Sequence, residues 1–171
     1  VPRFFEKLYA RIQDGIRQAP PMTQRIIRWA LAVGQRTAPF RLAHQPLPPL
    51  LALQARLAEQ LVFKKFSHRL GGRLRFFISG SAPLSKTIAE FFYQAGIVIL
   101  EGYGLTETSP VITVNRLEAL KFGTVGKPLD GVEVRIAEDG EILTRSACVM
   151  SGYYGKPEAT QEVMADGWFH T

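Results

Sequence analysis

The stretch RLRFFISGSAPLSKTIAEFFYQAGIVILEGYG, Arg73–Gly104, predicts a strand, a helix and a second strand. Its first seven residues are rich in β-formers, and its last eight are an apolar run that enters a glycine turn. Between these runs, Ser85 is suited to begin a helix as its N-cap and Gly96 to end it. A strand, helix and strand of this length predict a parallel βαβ unit.

Polar loops that contain glycine follow both predicted strands: SGSAP (79–83) and EGYGLTE (101–107). Ligands of open α/β sheets bind outside the carboxyl ends of the strands, so we expect both loops to line one crevice. Their glycines leave backbone N–H groups accessible to phosphate or carboxylate oxygens. Thr106 adds a hydroxyl donor. Glu107 adds a hard oxygen ligand suited to Mg²⁺ that is also held by substrate phosphates.

Tyr103 lies between two glycines, so a flat ligand such as an aromatic base can stack on its ring. The alternative is that Tyr103 is a strand-end residue hydrogen-bonded to a neighbour and that Glu107 is a solvated loop charge. The spacing alone leaves both interpretations open. Neither GYGLTE nor GTVGKP (123–128) matches a common phosphate motif, because the first lacks the third glycine of a dinucleotide motif and the second lacks the spacing and hydroxyl of a Walker loop.

The first 72 residues are predicted to be mainly helical. Apolar residues recur at steps of three and four over residues 4–16, which predicts an amphipathic helix. We expect a second helix to begin at Thr23 and to close at Gly34, followed by a proline-rich loop at Thr37–Pro49. A third helix then ends near Gly71. Its apolar stripe consists of Leu50, Leu53, Leu57 and Leu61.

After Pro110 the pattern changes to short alternating runs divided by Gly, Pro and Asp. These runs predict antiparallel strands or pieces of a barrel. A short helix is expected near Pro157, and GWFHT (167–171) is expected to be a final strand. The predicted fold class is therefore α/β, with a βαβ unit at 73–110 and a β-rich region at 111–171.

Charge is distributed unevenly in this chain, whose net charge is +6. Up to Arg75 there are 14 Lys and Arg against 3 Asp and Glu, a net of +11, whereas the remainder has 7 against 12, a net of −5. The basic residues are spread over helical patterns without a recognition motif, which argues against nucleic acid as a partner. A solvated helix surface that contacts anionic lipid explains them better.

The composition also limits the cellular compartments and the kinds of metal site that are expected for this chain. The single cysteine, Cys148, cannot form an internal disulfide and has no neighbour that favours a thiolate. The three histidines lack zinc-like pairing. No apolar run approaches the length of a membrane span. We therefore expect a cytoplasmic protein, peripheral at most to the inner face of the membrane.

Five blocks of the sequence resemble the AMP-forming adenylating enzymes, the group of acyl-CoA synthetases, luciferases and adenylation domains. The opening VPRFFEKLYARI (1–12) and the loops after the two strands look most like long-chain fatty-acid CoA ligases. The blocks are SGSAPLS (79–85), EGYGLTETSP (101–110), GTVGKPLDGVEVRI (123–136), GEILTR (140–145) and MSGYYGKPEAT with DGWFHT (150–171).

The resemblance implies a two-step activation of a fatty acid. The carboxylate attacks the α-phosphate of ATP with Mg²⁺ to give an acyl adenylate and pyrophosphate, and coenzyme A then displaces AMP. By the same resemblance, Tyr103 stacks on adenine, Gly102 and Gly104 bring the backbone close to the adenylate, Thr106 bonds the α-phosphate and Glu107 helps to hold Mg²⁺. The loop that borders adenine, ribose and the acyl pocket is Ser79, Gly80, Ser81, Ala82 and Pro83.

The resemblance also implies that the chain is a piece of the large N-terminal domain of such an enzyme. The Ser/Thr/Gly-rich phosphate loop and the small C-terminal domain have no match, so we expect the isolated piece to be inactive. Missing neighbours would expose apolar faces, which pairing with another copy, as a homo-oligomer, could cover. Two alternatives remain open. The parent is a ligase for another acid, aryl or medium-chain, or the basic half is a non-catalytic module that binds anionic membranes or a protein partner.

Overall fold

A computed structural model describes residues 2–171 as a helical region followed by two small sheets. The helices are α1 (Pro2–Gln18), α2 (Pro21–Leu42), α3 (Pro49–Ala58), α4 (Lys64–Arg69), α5 (Lys86–Gln94) and α6 (Pro157–Val163), and a π-helical turn at Glu59–Phe63 joins α3 to α4. The strands are β1 (Phe77–Ser79), β2 (Ile99–Tyr103), β3 (Thr113–Val114), β4 (Lys127–Pro128), β5 (Glu133–Ile136), β6 (Ile142–Arg145), β7 (Met164–Ala165) and β8 (Trp168–His170). Short 3₁₀ turns occupy Thr106–Thr108 and Leu117–Ala119.

Helix α5 connects two neighbouring parallel strands, which confirms the predicted βαβ unit. β1 pairs with β2 so that Ser79 lies opposite Glu101. Gly96 ends α5 in the left-handed region, with φ +82°, where glycine meets no steric penalty. The first strand begins at Phe77, later than the predicted start at Arg73.

The aromatic core beneath this unit is built from α1, β1 and α5. The ring of Phe5 packs edge-on against Phe77 at 5.4 Å and against Phe92 at 6.1 Å, measured between ring centroids. Phe5 and Phe92 are almost completely buried. Burial of each such ring contributes roughly 2 kcal/mol to folding, so this cluster fixes the strands that carry the two loops.

The strands form two sheets. The first has the order β1-β2-β3-β4, and only its β1–β2 pair is parallel. The second has the order β5-β6-β8-β7 and is antiparallel throughout. The expected antiparallel character of the region after Pro110 is therefore confirmed.

The predicted limits of the second helix were wrong. It begins at Pro21 rather than Thr23, and Gly34 lies in its interior. A Cβ atom at Gly34 would overlap the carbonyl oxygen of Gln94, so the missing side chain lets the end of α5 pack directly on α2. The glycine serves a contact between helices and does not end the helix.

The predicted proline-rich loop is also shorter than expected, since only residues 43–48 connect α2 to α3. Pro39 lies inside α2, close to its end, where the missing N–H removes a single helical hydrogen bond. The buried Thr37 hydroxyl donates to the carbonyl oxygen of Gly34 at 2.9 Å. Proline content therefore overstated the length of this loop.

The predicted leucine stripe, which runs from α3 into the π-helical turn, faces solvent instead of the core. Its members are between 44% and 68% exposed. Leu51, Ala58, Val62 and Phe63, on another face, are buried against α2. Four exposed leucines on one helical segment are an unusual surface feature. Within residues 2–171, none of the helices is both long and apolar enough to cross a bilayer.

Candidate functional site

A cleft of about 760 Å³ opens at the carboxyl ends of β1 and β2. Both predicted loops line it, which confirms the expectation that they share one crevice. Its volume is in the range of small-molecule sites, about 300–1,000 Å³. The lining residues are Ser79, Ser81, Ala82, Pro83, Leu84, Glu101, Gly102, Tyr103, Gly104, Leu105, Gly123, Thr124, Val125 and Gly126.

The floor of the cleft carries two buried polar side chains. The parallel register sets Ser79 and Glu101 opposite each other. The Glu101 carboxylate accepts a hydrogen bond from the Leu84 backbone N–H at 3.2 Å. Among the buried side-chain oxygen and nitrogen atoms of residues 2–171, only Ser79 Oγ has no hydrogen-bond partner. Buried hydroxyls are nearly always paired, so the Ser79 hydroxyl is an exception, and it lies where both loops line the cleft.

The first loop is held in a strained conformation. Ser81 has φ +71°, in the left-handed region that few non-glycine residues occupy. Ala82 and Pro83, which follow it, are exposed at the rim of the cleft. Gly80 lies within the loop but is not among the lining residues. Strained loop residues of this kind cluster at ligand sites.

Tyr103 contacts both the cleft and the second sheet. Its side chain is half-buried, and its hydroxyl donates to Thr171 Oγ1 at 2.7 Å. The Thr171 hydroxyl donates in turn to the Ile142 carbonyl oxygen at 2.8 Å. The ring therefore lines the cleft while its phenolic end is anchored at the end of β8.

The glycines of the second loop are required by close backbone contacts. A Cβ atom at Gly104 would overlap the carbonyl oxygen of Pro110 in the same loop. A Cβ atom at Gly102 would lie 3.1 Å from the carbonyl oxygen of Thr113 on β3. Both residues line the cleft, so the compact folding of this loop also exposes its backbone to a ligand.

Thr106 and Glu107 follow the last lining residue of this loop and do not themselves line the cleft. They form a 3₁₀ turn in which the Leu105 N–H donates to Thr108 Oγ1 at 3.1 Å. Thr106 is exposed. Glu107 is half-buried, and its Oε1 accepts a hydrogen bond from the Tyr153 hydroxyl at 2.9 Å. This bond, together with burial and the negative charge of Glu107, raises the pKa of Tyr153.

Sequence reasoning missed the third wall of the cleft, the turn at Gly123–Gly126. The Thr113 hydroxyl donates to the Val125 carbonyl oxygen at 2.9 Å and holds this turn against β3. Gly126 has φ +80°, and a Cβ atom there would overlap the backbone of Val114. The paired glycines of GTVG were the available signal; the segment counted toward the family resemblance, but as a phosphate site it was compared only with a Walker loop, and no lining role was assigned to it.

The side chains beside the cleft suit a magnesium ion that is also held by a ligand better than a metal ion held by protein side chains alone. Within residues 2–171, no three His, Cys, Asp or Glu side chains converge on one point. Magnesium commonly takes only one or two carboxylates and completes its shell with water and substrate phosphates. Glu107, half-buried and fixed by Tyr153 beside the cleft, fits this requirement.

Comparison with sequence families and curated proteins gives consistent matches. The family model described as "AMP-binding enzyme" matches residues 1–154. The chain is 41% identical over 173 residues to long-chain-fatty-acid–CoA ligase FadD15 of Mycobacterium bovis, covering 100% of this chain and 28% of that protein. It is 34% identical over 186 residues to long chain acyl-CoA synthetase 1 of Arabidopsis thaliana, covering 100% of this chain and 27% of that protein. The chain thus spans little more than a quarter of the length of these relatives.

Two of the solved structures with the same fold are CoA ligases named for the aryl acids anthranilate and O-succinylbenzoate. The anthranilate CoA ligase AuaEII in complex with anthranoyl-AMP superposes with a TM-score of 0.55 at 27% identity, over 57% of this chain and 21% of that chain. O-succinylbenzoate coenzyme A synthetase from Bacillus subtilis, in complex with ATP and magnesium ion, superposes with a TM-score of 0.52 at 29% identity, over 57% of this chain and 23% of that chain.

Proposed function

Because the chain belongs to the AMP-binding enzyme family, we propose that it supplies one wall of the adenylate site in a long-chain fatty-acid CoA ligase. The observation that carries this proposal is the cleft itself, in which both loops meet around the unpaired hydroxyl of Ser79. The names of two similar curated relatives support the choice of a long-chain acid. The complete protein uses ATP, Mg²⁺, a fatty acid and coenzyme A.

Residues of the cleft and of the adjoining 3₁₀ turn, Thr106–Thr108, take distinct parts in holding the nucleotide. The Tyr103 ring stacks on adenine, and the backbone at Gly102 and Gly104 lies against the adenylate. Thr106 donates its hydroxyl to the α-phosphate, and Glu107 holds Mg²⁺. When bound, the cation offsets the negative charge of the phosphates. The residues of the first loop, 79–83, border adenine, ribose and the acyl chain.

The reaction needs no protein nucleophile. In the first step the fatty carboxylate oxygen attacks the α-phosphorus, a P–O bond forms, and pyrophosphate leaves with the electrons of the broken bond. In the second step the thiol of coenzyme A releases its proton to solvent and its sulfur attacks the acyl carbon, and AMP leaves with the electrons of the broken C–O bond. Positioning and charge stabilisation dominate such steps, which suits a cleft of glycines, hydroxyls and one carboxylate.

An acid panel tests this proposal on the full-length protein. With ATP, Mg²⁺ and coenzyme A, palmitate is expected to give palmitoyl-CoA and AMP, at a higher kcat/KM than benzoate, anthranilate or octanoate. Product is measured by chromatography of the thioester. A preference for an aryl or medium-chain acid would replace the long-chain assignment, and adenylation of no acid would overturn the proposed function. This chain alone is expected to give no thioester.

A second candidate function, peripheral contact with an anionic membrane on the cytoplasmic side, rests on the exposed leucine stripe of α3 and the π-helical turn. Leu50, Leu53, Leu57 and Leu61 face solvent in the part of the chain that carries a net charge of +11. The exposed cations Arg56, Lys64 and Lys65 belong to the same helical segment. Leucines beside basic residues are the pattern of helices that lie in the membrane interface. Such contact would bring the ligase to the bilayer where long-chain acids reside.

Sedimentation with liposomes tests this second candidate. The full-length protein is expected to bind vesicles of phosphatidylglycerol and phosphatidylcholine at low salt, and to be released at high salt. The double variant Leu53→Ser, Leu57→Ser is expected to lose most of this binding. Ile136→Ser, which changes an equally exposed apolar side chain in the acidic part of the chain, is the matched control. Equal binding by all three proteins, or none by any, would contradict the membrane assignment.

A further inference from the structure

Glu107 is connected to a segment 46 residues further along the chain. The Tyr153 hydroxyl donates to its Oε1 at 2.9 Å. The backbone N–H of Met150 donates to the Glu107 carbonyl oxygen at 2.7 Å. The first bond acts on the carboxylate itself, whereas the second holds the main chain of the 3₁₀ turn. The same short segment thus fixes both the position and the orientation of Glu107.

Tyr153 is itself held firmly in place. Its backbone N–H donates to Thr160 Oγ1 at 2.9 Å, and that hydroxyl donates to the Lys156 carbonyl oxygen at 3.0 Å. The preceding Gly152 has φ +147°, and a Cβ atom there would lie 2.9 Å from Thr160. Glycine therefore lets α6 approach closely enough to anchor the tyrosine. The phenol reaches Glu107 from a fixed point.

We propose that Tyr153 is a positioning residue for the metal-binding carboxylate, acting through its hydrogen bond to Glu107. This rests on the proposed function, in which Glu107 holds Mg²⁺. A donor that engages one carboxylate oxygen restricts rotation of the group and aims the other oxygen. Hydrogen bonds behind a metal ligand typically change metal affinity or activity about 10- to 100-fold when removed.

The direction of the bond suits this role, because the Tyr153 hydroxyl is the donor and a carboxylate oxygen of Glu107 is the acceptor. Neighbouring Tyr154 is fully exposed, so the chain offers a matched comparison one residue away.

The alternative is that Tyr153 only fastens the region around Met150 to the 3₁₀ turn. Both roles predict some loss of thermal stability for Tyr153→Phe. Only the positioning role predicts a change in how strongly Mg²⁺ promotes ATP binding. The ratio of the ATP dissociation constants measured with EDTA and with saturating Mg²⁺ isolates this effect and does not depend on turnover.

The experiment uses the full-length protein and isothermal titration calorimetry. Tyr153→Phe is expected to reduce the ratio roughly tenfold, and Tyr154→Phe is expected to leave it unchanged. Glu107→Gln is expected to reduce the ratio at least as far as Tyr153→Phe, and the double variant Tyr153→Phe, Glu107→Gln is expected to match Glu107→Gln, because the tyrosine acts through the carboxylate.

The outcomes separate this inference from the proposed function. If Tyr153→Phe lowers only the Tm and keeps the ratio of the wild type while Glu107→Gln loses it, Tyr153 is structural and the inference is overturned. If Glu107→Gln also keeps the ratio, Glu107 does not hold the metal and the site assignment itself fails. If the losses of the two single variants add in the double variant, Tyr153 acts on something other than Glu107, which also overturns the inference.

Discussion

Glu107→Gln is expected to slow adenylate formation by the full-length protein ~100-fold, the usual cost of removing one charge-stabilising group from a site of this kind. The amide keeps the size of the side chain and can still accept the hydrogen bond from Tyr153. It removes the negative charge that holds Mg²⁺ beside the phosphates. The rate is measured as exchange of labelled pyrophosphate into ATP in the presence of the fatty acid, which reports the first step alone.

Glu118→Gln is the matched control for this prediction. Glu118 is an exposed glutamate that also lies in a short 3₁₀ turn, Leu117–Ala119, and it lies outside the cleft. Its variant is expected to exchange pyrophosphate at the rate of the wild type. Equal rates for the two variants would mean that the charge at Glu107 is not used in adenylation.

Gly126→Ala is expected to lower the free energy of unfolding by more than about 3 kcal/mol, because strain and overlap act together. The residue has φ +80°, which an alanine adopts only at a cost. A methyl group there would also overlap the backbone of Val114, and backbone cannot move aside as a flexible side chain can. The change is measured from urea unfolding followed by circular dichroism, and it is expected to reduce ATP affinity as well, since this turn lines the cleft.

Gly131→Ala separates the two causes. Gly131 has φ +79°, nearly the same as Gly126, but a Cβ atom there would meet nothing within 4 Å. Gly131→Ala is expected to lower the free energy of unfolding only by the cost of the left-handed conformation, about 1–2 kcal/mol. Similar losses for the two variants would show that the close approach of the turn to β3 does not constrain position 126.

The sequence predicted well those features that depend on local patterns. The βαβ unit follows from an apolar run, a helix-ending glycine and a strand-like run in close succession, and the structure contains it. Its topology then places both loops at one edge of the sheet, so the meeting of Ser79 and Tyr103 in one cleft followed from the fold class. The assignment of Thr106 and Glu107 to phosphate and metal stays a prediction.

The features that were wrong or missing depend on contacts between distant segments. In the sequence, Gly34 looks like the end of a helix. The structure shows that glycine is needed there because the carbonyl oxygen of Gln94 leaves no room for a Cβ atom. The leucines of α3 have the spacing of a core face, yet a different face packs against α2. Periodicity identifies a stripe and cannot say which neighbour covers it. The bond from Tyr153 to Glu107 joins segments whose proximity no local pattern predicts.

The anchoring of Tyr103 at Thr171 couples the binding of a ligand in the cleft to the contact between the two sheets. The ring belongs to the first sheet, but its hydroxyl is bonded at the end of the second, at 2.7 Å. A ligand that favours the ring in this orientation must strengthen the contact between the sheets by the same free energy with which that contact strengthens binding. The second sheet is then a thermodynamic participant in the site, although its strands contribute no residue to the lining of the cleft.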